Sequence, residues 1–136
     1  MDTTVVVAAL RSRRGASNKL LRLVAENRVT PLATTALFLE YEEVLKRPEQ
    51  RAAHGLDDLA VDRFLAASAS AMEPVTVHVG WRPQLRDPSD EMVLEAAING
   101  RANSIVTFNI RDFLPAAAQF GVPVMPPADV LKRMQL

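Results

Sequence analysis

Three acidic residues, far apart in the sequence, stand where a carboxylate could do chemistry: Glu40, Asp90 and Asp112. The chain has no cysteine, and its two histidines, His54 and His78, lack a partner at metal-ligand spacing. Neither a Gly-rich phosphate loop nor a G-x-S-x-G nucleophile elbow is present. Carboxylate oxygens are the ligands that hard cations such as Mg²⁺ and Mn²⁺ prefer. Metal-assisted hydrolysis is therefore the chemistry for which this sequence has the parts.

Glu40 borders the apolar face of a predicted helix that ends near Leu45. The apolar side chains recur there at helical spacing, and Glu40 lies at the edge of their stripe. Glu42 and Glu43 each have a basic residue four positions later, which predicts surface ion pairs, whereas the residue four positions after Glu40 is valine. An unpaired carboxylate at a buried edge is costly, and a metal ion is one remedy. The alternative is that Glu40 bends outward into water.

Asp90 lies at the centre of the apolar stripe of its predicted helix, in the first turn, where the helix dipole stabilises an anion. The alternative is that Asp90 is a helix cap, although Asp87, Ser89 or Glu91 could take that position instead. Asp112 follows a predicted strand and a three-residue turn, so its carboxylate would lie at the carboxyl edge of a sheet. For Asp112 the alternative is an Asx-type turn.

The net charge is +0, but the charges are unevenly distributed along the chain. Residues 11 to 28 include one acidic residue, Glu26, and six basic residues, which are Arg11, Arg13, Arg14, Lys19, Arg22 and Arg28. A basic flank combined with an acidic cluster could bind a polyanion through the first and metal ions through the second. The alternative is that both are solvated helix faces.

Apolar segments alternate along the chain with amphipathic segments of helical period. The predicted strands are Val5 to Leu10, Val29 to Ala33, Val75 to Val79, Ser104 to Phe108 and Val122 to Met125. The predicted helices start with a cap at Ser17 and at Thr34 or Thr35, span Asp57 to Met72 and Asp90 to Arg101, and resume at about Pro127, with Trp81 to Pro88 as a loop. This alternation predicts an α/β fold in which helices cover both faces of a parallel sheet.

The bulk composition is that of a soluble globular protein. A length of 136 residues, of which 49% are hydrophobic and 24% charged, predicts a single domain over residues 1–136. No apolar run reaches the roughly 18 residues that would suggest a membrane span. The N-terminal residues do not resemble a secretion signal, so a cytoplasmic protein is expected.

Four segments, in this order, resemble the motifs of the PIN-domain family. They are Asp2-Thr3-Thr4 with the apolar residues that follow, Leu39 to Leu45 around Glu40, Asp87 to Ala97 around Asp90, and Ala102 to Phe113, which is similar to the family pattern V-T-x-D/N-x-x-D-F. The resemblance extends from residue 2 to about residue 131 and points to the VapC-type toxins of bacterial toxin–antitoxin pairs.

The resemblance implies a three-layer α/β/α sandwich with a mainly parallel central sheet, and it makes Val5 to Leu10 a short helix. It further implies a ribonuclease toxin that holds Mg²⁺ or Mn²⁺ with four catalytic, metal-binding acids, Asp2, Glu40, Asp90 and Asp112. Thr107 and Asn109 would support these acids, and Thr107 could orient a ligand or water. Arg11, Arg13, Arg14 and Lys19 would hold the RNA backbone. A cognate antitoxin and a homodimer are the expected protein partners.

The sequence departs from the family pattern at three positions. Thr4 stands where the family usually has Asn, and Asn109 stands where it often has Asp. Only Met1 precedes Asp2, where the family has a strand, so the start is either truncated or has a reduced first strand, and weak anchoring of Asp2 is expected. These departures leave open a binding module that has the fold without catalysis. A third hypothesis, a phosphotransfer domain, ranks last. Such a domain would need a pair of acidic residues before a first strand and a lysine after a late strand, and the sequence has neither.

Overall fold

The structure is a computed structural model that describes residues 1–78 and 84–134. Its elements follow in the order α1 (Thr3–Arg11), α2 (Ala16–Ala25), β1 (Leu32–Ala33), α3 (Thr35–Leu45), α4 (Pro48–His54), α5 (Asp58–Ala71), β2 (Glu73–Pro74), α6 (Pro88–Asn99), β3 (Ile105–Val106), α7 (Ile110–Gln119), β4 (Val124–Met125) and α8 (Pro127–Arg133). Residues 81–83 of the predicted loop, which include Trp81, and the end of the predicted strand at Val79 lie outside the described residues. No helix in the described ranges is long and apolar enough to cross a membrane.

The first apolar run forms helix α1 and not a strand. Val5, Val6 and Ala9 are buried, and their spacing matches one face of a helix. This face packs against α2 and α3, so tertiary contacts override the preference of valine for extended backbone. The strand predicted from Val5 to Leu10 is therefore wrong, and the short helix implied by the family resemblance is correct.

The strands pair in parallel, but they are short and form two separate sheets in the described part of the chain. In the first sheet Leu32 pairs with Glu73, and in the second Ile105 pairs with Val124. Each strand is two residues long, so the strands predicted at 29–33, 104–108 and 122–125 are shorter than expected. The strand predicted at 75–79 is wrong over its described residues, because β2 lies before it, at Glu73–Pro74, and residues 75–78 are not in a strand. Parallel pairing with intervening helices agrees with an α/β fold. A sandwich around one continuous central sheet is not confirmed.

Thr34 caps α3 as predicted, and the helix predicted from Asp57 begins with Asp57 as its cap. The hydroxyl of Thr34 accepts a hydrogen bond from the backbone N–H of Leu37, and the carboxylate of Asp57 accepts one from Ala60. The predicted cap at Ser17 is wrong, because α2 begins at Ala16 and Ser17 is buried within its first turn. Helices α4 and α7 were not predicted; α4 buries none of its residues and so leaves no apolar stripe to detect.

Helices α3 and α6 pack against each other and bring the second and third predicted acids together. Their contact is built on buried side chains that include Leu37, Tyr41 and Leu94. Gly100, just after α6, lies in a crowded place, since a Cβ atom there would come within 2.8 Å of Val75 Cγ2 and 2.9 Å of Leu32 Cδ1. The end of α6 is thereby seated closely on the first sheet.

Candidate metal-binding and catalytic site

Asp2 is buried and held from two sides. Its backbone N–H donates a hydrogen bond to the carbonyl of Val106 in β3 at 2.9 Å. Its side chain is 4% exposed, and its Oδ2 accepts hydrogen bonds from Thr4 Oγ1 at 2.9 Å and from Thr107 Oγ1 at 2.6 Å. The expectation that Asp2 is weakly anchored is therefore wrong. Asp2 precedes α1 without capping it, so its carboxylate is available to the second sheet.

The hydroxyl of Thr4 donates a hydrogen bond to the carboxylate of Asp2. It stands at the position where the family usually has an Asn amide to hold the first acid. The hydroxyl of Thr107 donates a hydrogen bond to Asp2 and accepts one from the backbone N–H of Asn109 at 2.9 Å. Thr107 therefore orients the carboxylate of Asp2, and Asn109 supports it through its backbone. Both hydrogen bonds to Asp2 reach Oδ2, and Oδ1 accepts none from the described residues.

Met1, next to the first acid, is fixed by Tyr41 of α3. The buried Tyr41 hydroxyl donates a hydrogen bond to the carbonyl oxygen of Met1, and burial raises the pKa of this phenol. The sequence placed Tyr41 on the apolar stripe of its helix but gave no signal for the role of its hydroxyl. This contact ties the backbone before Asp2 to the helix that carries Glu40.

Glu40 is partly buried on α3 and accepts a hydrogen bond from Ser89 Oγ at 2.8 Å. Its neighbours behave as predicted, since Glu42 pairs with Lys46 and Glu43 forms two hydrogen bonds with Arg47. The bond from Ser89 was not anticipated, because Ser89 was considered only as a helix cap. Glu40 therefore faces α6, whereas Glu42 and Glu43 form ion pairs elsewhere on the surface of α3.

Asp90 is not the cap of its helix. Helix α6 begins at Pro88, and Asp87 is the cap, with Oδ1 accepting a hydrogen bond from the Ser89 N–H at 2.8 Å. Burial raises the pKa of Asp90 to about 6, with further contributions from the negative charges of Asp2, Asp87 and Asp112. A carboxylate that caps nothing and is crowded by other acids is suited to bind a cation.

A cavity of about 410 Å³ joins these residues. Among the residues that line it are Asp2, Thr4, Arg11, Glu40, Gln50, Asp87, Ser89, Asp90 and Asn109. The structure thus brings three of the four predicted acids together. Asp112 does not line the cavity; it is exposed in the first turn of α7, close enough for its charge to act on Asp90. Asp87, Ser89 and Gln50 are polar lining residues that sequence reasoning did not assign to the site.

Of the predicted RNA-binding residues, Arg11 lies at this cavity. Its guanidinium donates a hydrogen bond from Nη2 to Gln50 Oε1 at 2.9 Å, which holds it at the rim. Arg13 and Arg14 are exposed in the connection between α1 and α2, and Lys19 is exposed on α2. Arg11 is thus at the cavity, whereas the other three predicted RNA-binding residues are exposed and are not among those that line it.

The donors in the cavity fit a hard divalent cation by their chemistry, since they are carboxylate, hydroxyl and amide oxygens. Within residues 1–78 and 84–134, however, no three Asp, Glu, His or Cys side chains form a group that could hold a metal ion. Mg²⁺ often binds through one or two carboxylates and keeps several waters. Asp2, whose Oδ1 accepts no hydrogen bond from the described residues, lines the cavity together with Asp90 and Glu40.

Comparison with known protein families identifies a match over most of the chain. The family model described as PIN domain matches residues 1–111, which include Asp2, Glu40 and Asp90. No curated protein and no solved structure matches the chain.

Proposed function

The chain belongs to the PIN-domain family, and on that premise we propose that it is a metal-dependent endoribonuclease, the toxin of a type II toxin–antitoxin pair. PIN domains are generally nucleases that need divalent metal ions. The observation that carries the proposal is the cavity lined by Asp2, Glu40 and Asp90, which come from three separate parts of the chain. A buried carboxylate and two partly buried ones can share a cavity when a cation offsets their repulsion.

The residues of the cavity have distinct tasks in RNA hydrolysis. A divalent cation held there would supply a water of lowered pKa and would offset the charge that develops on the phosphate and the leaving oxygen. Asp2 and Asp90 would hold it, and the hydroxyls of Thr4 and Thr107 keep Asp2 Oδ2 engaged so that Oδ1 stays available. Ser89 orients Glu40 toward the same space. Mg²⁺ and Mn²⁺ are the cations that suit such oxygen donors.

The basic surface next to the cavity suits the RNA backbone. Arg11 lies at the cavity rim, and Arg13, Arg14 and Lys19 are exposed beyond it. Cationic side chains at this place would hold phosphates by charge, with little dependence on base identity. The acidic cavity alone would repel RNA, so the proposal assigns substrate binding to this flank and chemistry to the acids.

The toxin role, and with it a cognate antitoxin and a homodimeric state, is supported by the resemblance of the four sequence segments to VapC-type toxins. Expression of a toxin should arrest the growth of a bacterial host, and the arrest should depend on Asp90. If the chain cleaves RNA in vitro but does not arrest growth, the nuclease proposal stands and the toxin proposal is refuted.

The nuclease is tested by incubating single-stranded and structured RNA with the purified chain in Mg²⁺, in Mn²⁺ and in EDTA. Cleavage should require the cation and should be lost in Asp90→Asn, whereas Glu43→Gln, a surface control on α3, should cleave normally. Cleavage that persists in EDTA, or equal activity of Asp90→Asn and the unmodified chain, would refute the proposal.

A second function has a specific observation in its favour. Asn109 replaces an acid that the family often has, and the described residues form no group of three metal-holding side chains. A PIN-fold module that binds RNA or a partner protein without cutting RNA would show both features. Such a module would shift RNA in a binding assay through Arg11 and its neighbours, yet would release no fragments at any Mn²⁺ concentration.

A further inference from the structure

Arg11 lies at the edge of the acidic cavity without forming an ion pair. Four carboxylates line the cavity together with Arg11, and they belong to Asp2, Glu40, Asp87 and Asp90. Within the described residues the guanidinium of Arg11 pairs with none of them, nor with any other acid. A guanidinium and a carboxylate form strong, charge-assisted hydrogen bonds when they meet. Some feature of the structure therefore holds Arg11 apart from the acids.

That feature is the neutral side chain of Gln50. Arg11 Nη2 donates a hydrogen bond to Gln50 Oε1 at 2.9 Å, and the other guanidinium N–H groups form no hydrogen bond with the described residues. An amide oxygen fixes the position of a guanidinium without cancelling its charge, whereas a carboxylate at the same place would do both. Arg11 therefore keeps its positive charge and most of its donors for an anionic ligand of the cavity.

Gln50 belongs to a helix that contributes nothing to the buried core. Helix α4 buries none of its residues, although it packs against α1 and α3. It begins with Pro48, and at its other end the ring of His54 donates a hydrogen bond to the carbonyl of Leu45 and accepts one from the N–H of Leu56. Gln50 is the residue of α4 that lines the cavity. The anchored helix thus fixes the place of the amide that holds Arg11.

We propose that Gln50 is a positioning residue, which holds Arg11 as the binding group for an RNA phosphate adjacent to the one that is cleaved. The inference rests on the proposed nuclease function and adds to it a residue outside the four segments that resemble the family. The cleaved phosphate would lie at the acids, so Arg11 at the edge of the same cavity would meet the next phosphate of the strand. A guanidinium matches two phosphate oxygens with parallel N–H donors. Such a contact adds affinity without reading the base.

The test measures binding of a short single-stranded RNA in EDTA at several salt concentrations, for the unmodified chain and its variants. Arg11→Gln removes the charge, Gln50→Glu neutralises it in place, and Gln50→Met keeps the length of the side chain but removes the acceptor. Ala52→Glu is the matched control, because it adds the same charge to an exposed residue on the opposite face of α4 that does not line the cavity. Since α4 buries no side chain, all variants should melt close to the unmodified chain.

Arg11→Gln and Gln50→Glu should each weaken binding ~4-fold at roughly 0.15 M salt and should lower the slope of log Kd against log salt by ~0.7, which corresponds to one lost phosphate contact on a single strand. Gln50→Met should weaken binding at least ~2-fold, and should add nothing in an Arg11→Gln background, because Gln50 acts through Arg11. Ala52→Glu should bind within ~2-fold of the unmodified chain, with an unchanged slope. In Mn²⁺, Gln50→Glu should raise the KM for RNA with little change in kcat.

Unchanged affinity and slope in Gln50→Glu would overturn the inference. Equal weakening by Ala52→Glu would do so as well, because it would assign the effect to the general charge of α4. Additive losses in the double variant would make Gln50 a direct RNA contact and not a positioning residue, and an unmodified chain that binds no RNA would remove the role of Arg11. If binding responds as expected but no fragments form in Mn²⁺, the nuclease proposal fails and the phosphate-binding role of Arg11 stands.

Discussion

Thr107 Oγ1 lies 2.6 Å from Asp2 Oδ2, and this hydrogen bond joins the second residue of the chain to a residue 105 positions later. Thr107 is fully buried, and Asp2 is nearly so. A hydrogen bond to a buried charge cannot be replaced by water, so the pair couples the position of the first acid to the second sheet. The candidate site is thereby built on the sheet as well as on helices.

Thr107→Val should destabilise the protein by about 1.5–3 kcal/mol, because valine keeps the shape of threonine and leaves a buried carboxylate short of one donor. The matched variant Thr4→Val should cost less, since Thr4 is exposed and water can take its place. Urea unfolding of the two variants at unchanged slope measures the difference. Equal decreases in the free energy of unfolding would mean that the hydrogen bond from Thr107 contributes no more than the bond from Thr4.

The stability of the metal-free protein should fall as the pH rises through the titration of Asp90. The folded pKa of Asp90 is about 6 against an ordinary 3.8, so between these values the folded state binds the proton more readily than the unfolded state. The contribution is fully present below about pH 4 and is lost above about pH 6. In EDTA, melting temperatures of the unmodified chain minus those of Asp90→Asn should decline across this range. A flat difference would contradict the raised pKa.

Divalent metal should stabilise the folded chain. A cation that binds only the folded site contributes about 2.7 kcal/mol at a hundredfold excess over its Kd, enough to raise the melting temperature by several degrees. Asp90→Asn should abolish the response, and should melt above the unmodified chain in EDTA because it removes one of several repelling charges. Glu43→Gln should respond normally. An unchanged melting temperature of the unmodified chain at millimolar Mn²⁺ would count heavily against the metal site.

Glu40→Gln should lower metal-dependent RNA cleavage at least ~10-fold, which is the effect of removing a group that binds or orients at a metal site. Glu42→Gln and Glu43→Gln should cleave normally and should change stability little, because each glutamate pairs at the helix surface with a basic residue four positions on. Cleavage rates of the three variants in Mn²⁺ decide the matter. Similar losses in all three would remove the distinction between Glu40 and its neighbours.

The sequence predicted those features of the site that depend on local pattern. Helical periodicity separated Glu40 from Glu42 and Glu43, and it placed Asp90 on the inner face of its helix. It could not decide whether Asp90 was the cap, since the choice among four neighbouring polar residues depends on the backbone geometry before α6. The observed bond between Asp87 and Ser89 resolves this point.

Contacts between distant segments were beyond the reach of sequence pattern. The bonds from Ser89 to Glu40, from Tyr41 to Met1 and from Thr107 to Asp2 each join separate elements, and none leaves a trace in local periodicity. The strands were predicted too long because apolar runs report burial and not backbone pairing. For α1, valine-rich composition favoured a strand, and only the resemblance to the PIN family indicated a helix.

Gly100 places a constraint on how this protein can vary in evolution. Its φ is −88°, a value open to any amino acid, so backbone conformation does not require glycine here. The restriction is one of volume, since even a methyl group would meet Val75 and Leu32 at under 3 Å. The carbonyl oxygen of Ala96 would lie at 2.9 Å as well, and because it belongs to the backbone, no side-chain replacement at 32 or 75 removes it. Among homologues that keep this packing of α6 on the first sheet, position 100 should therefore stay glycine.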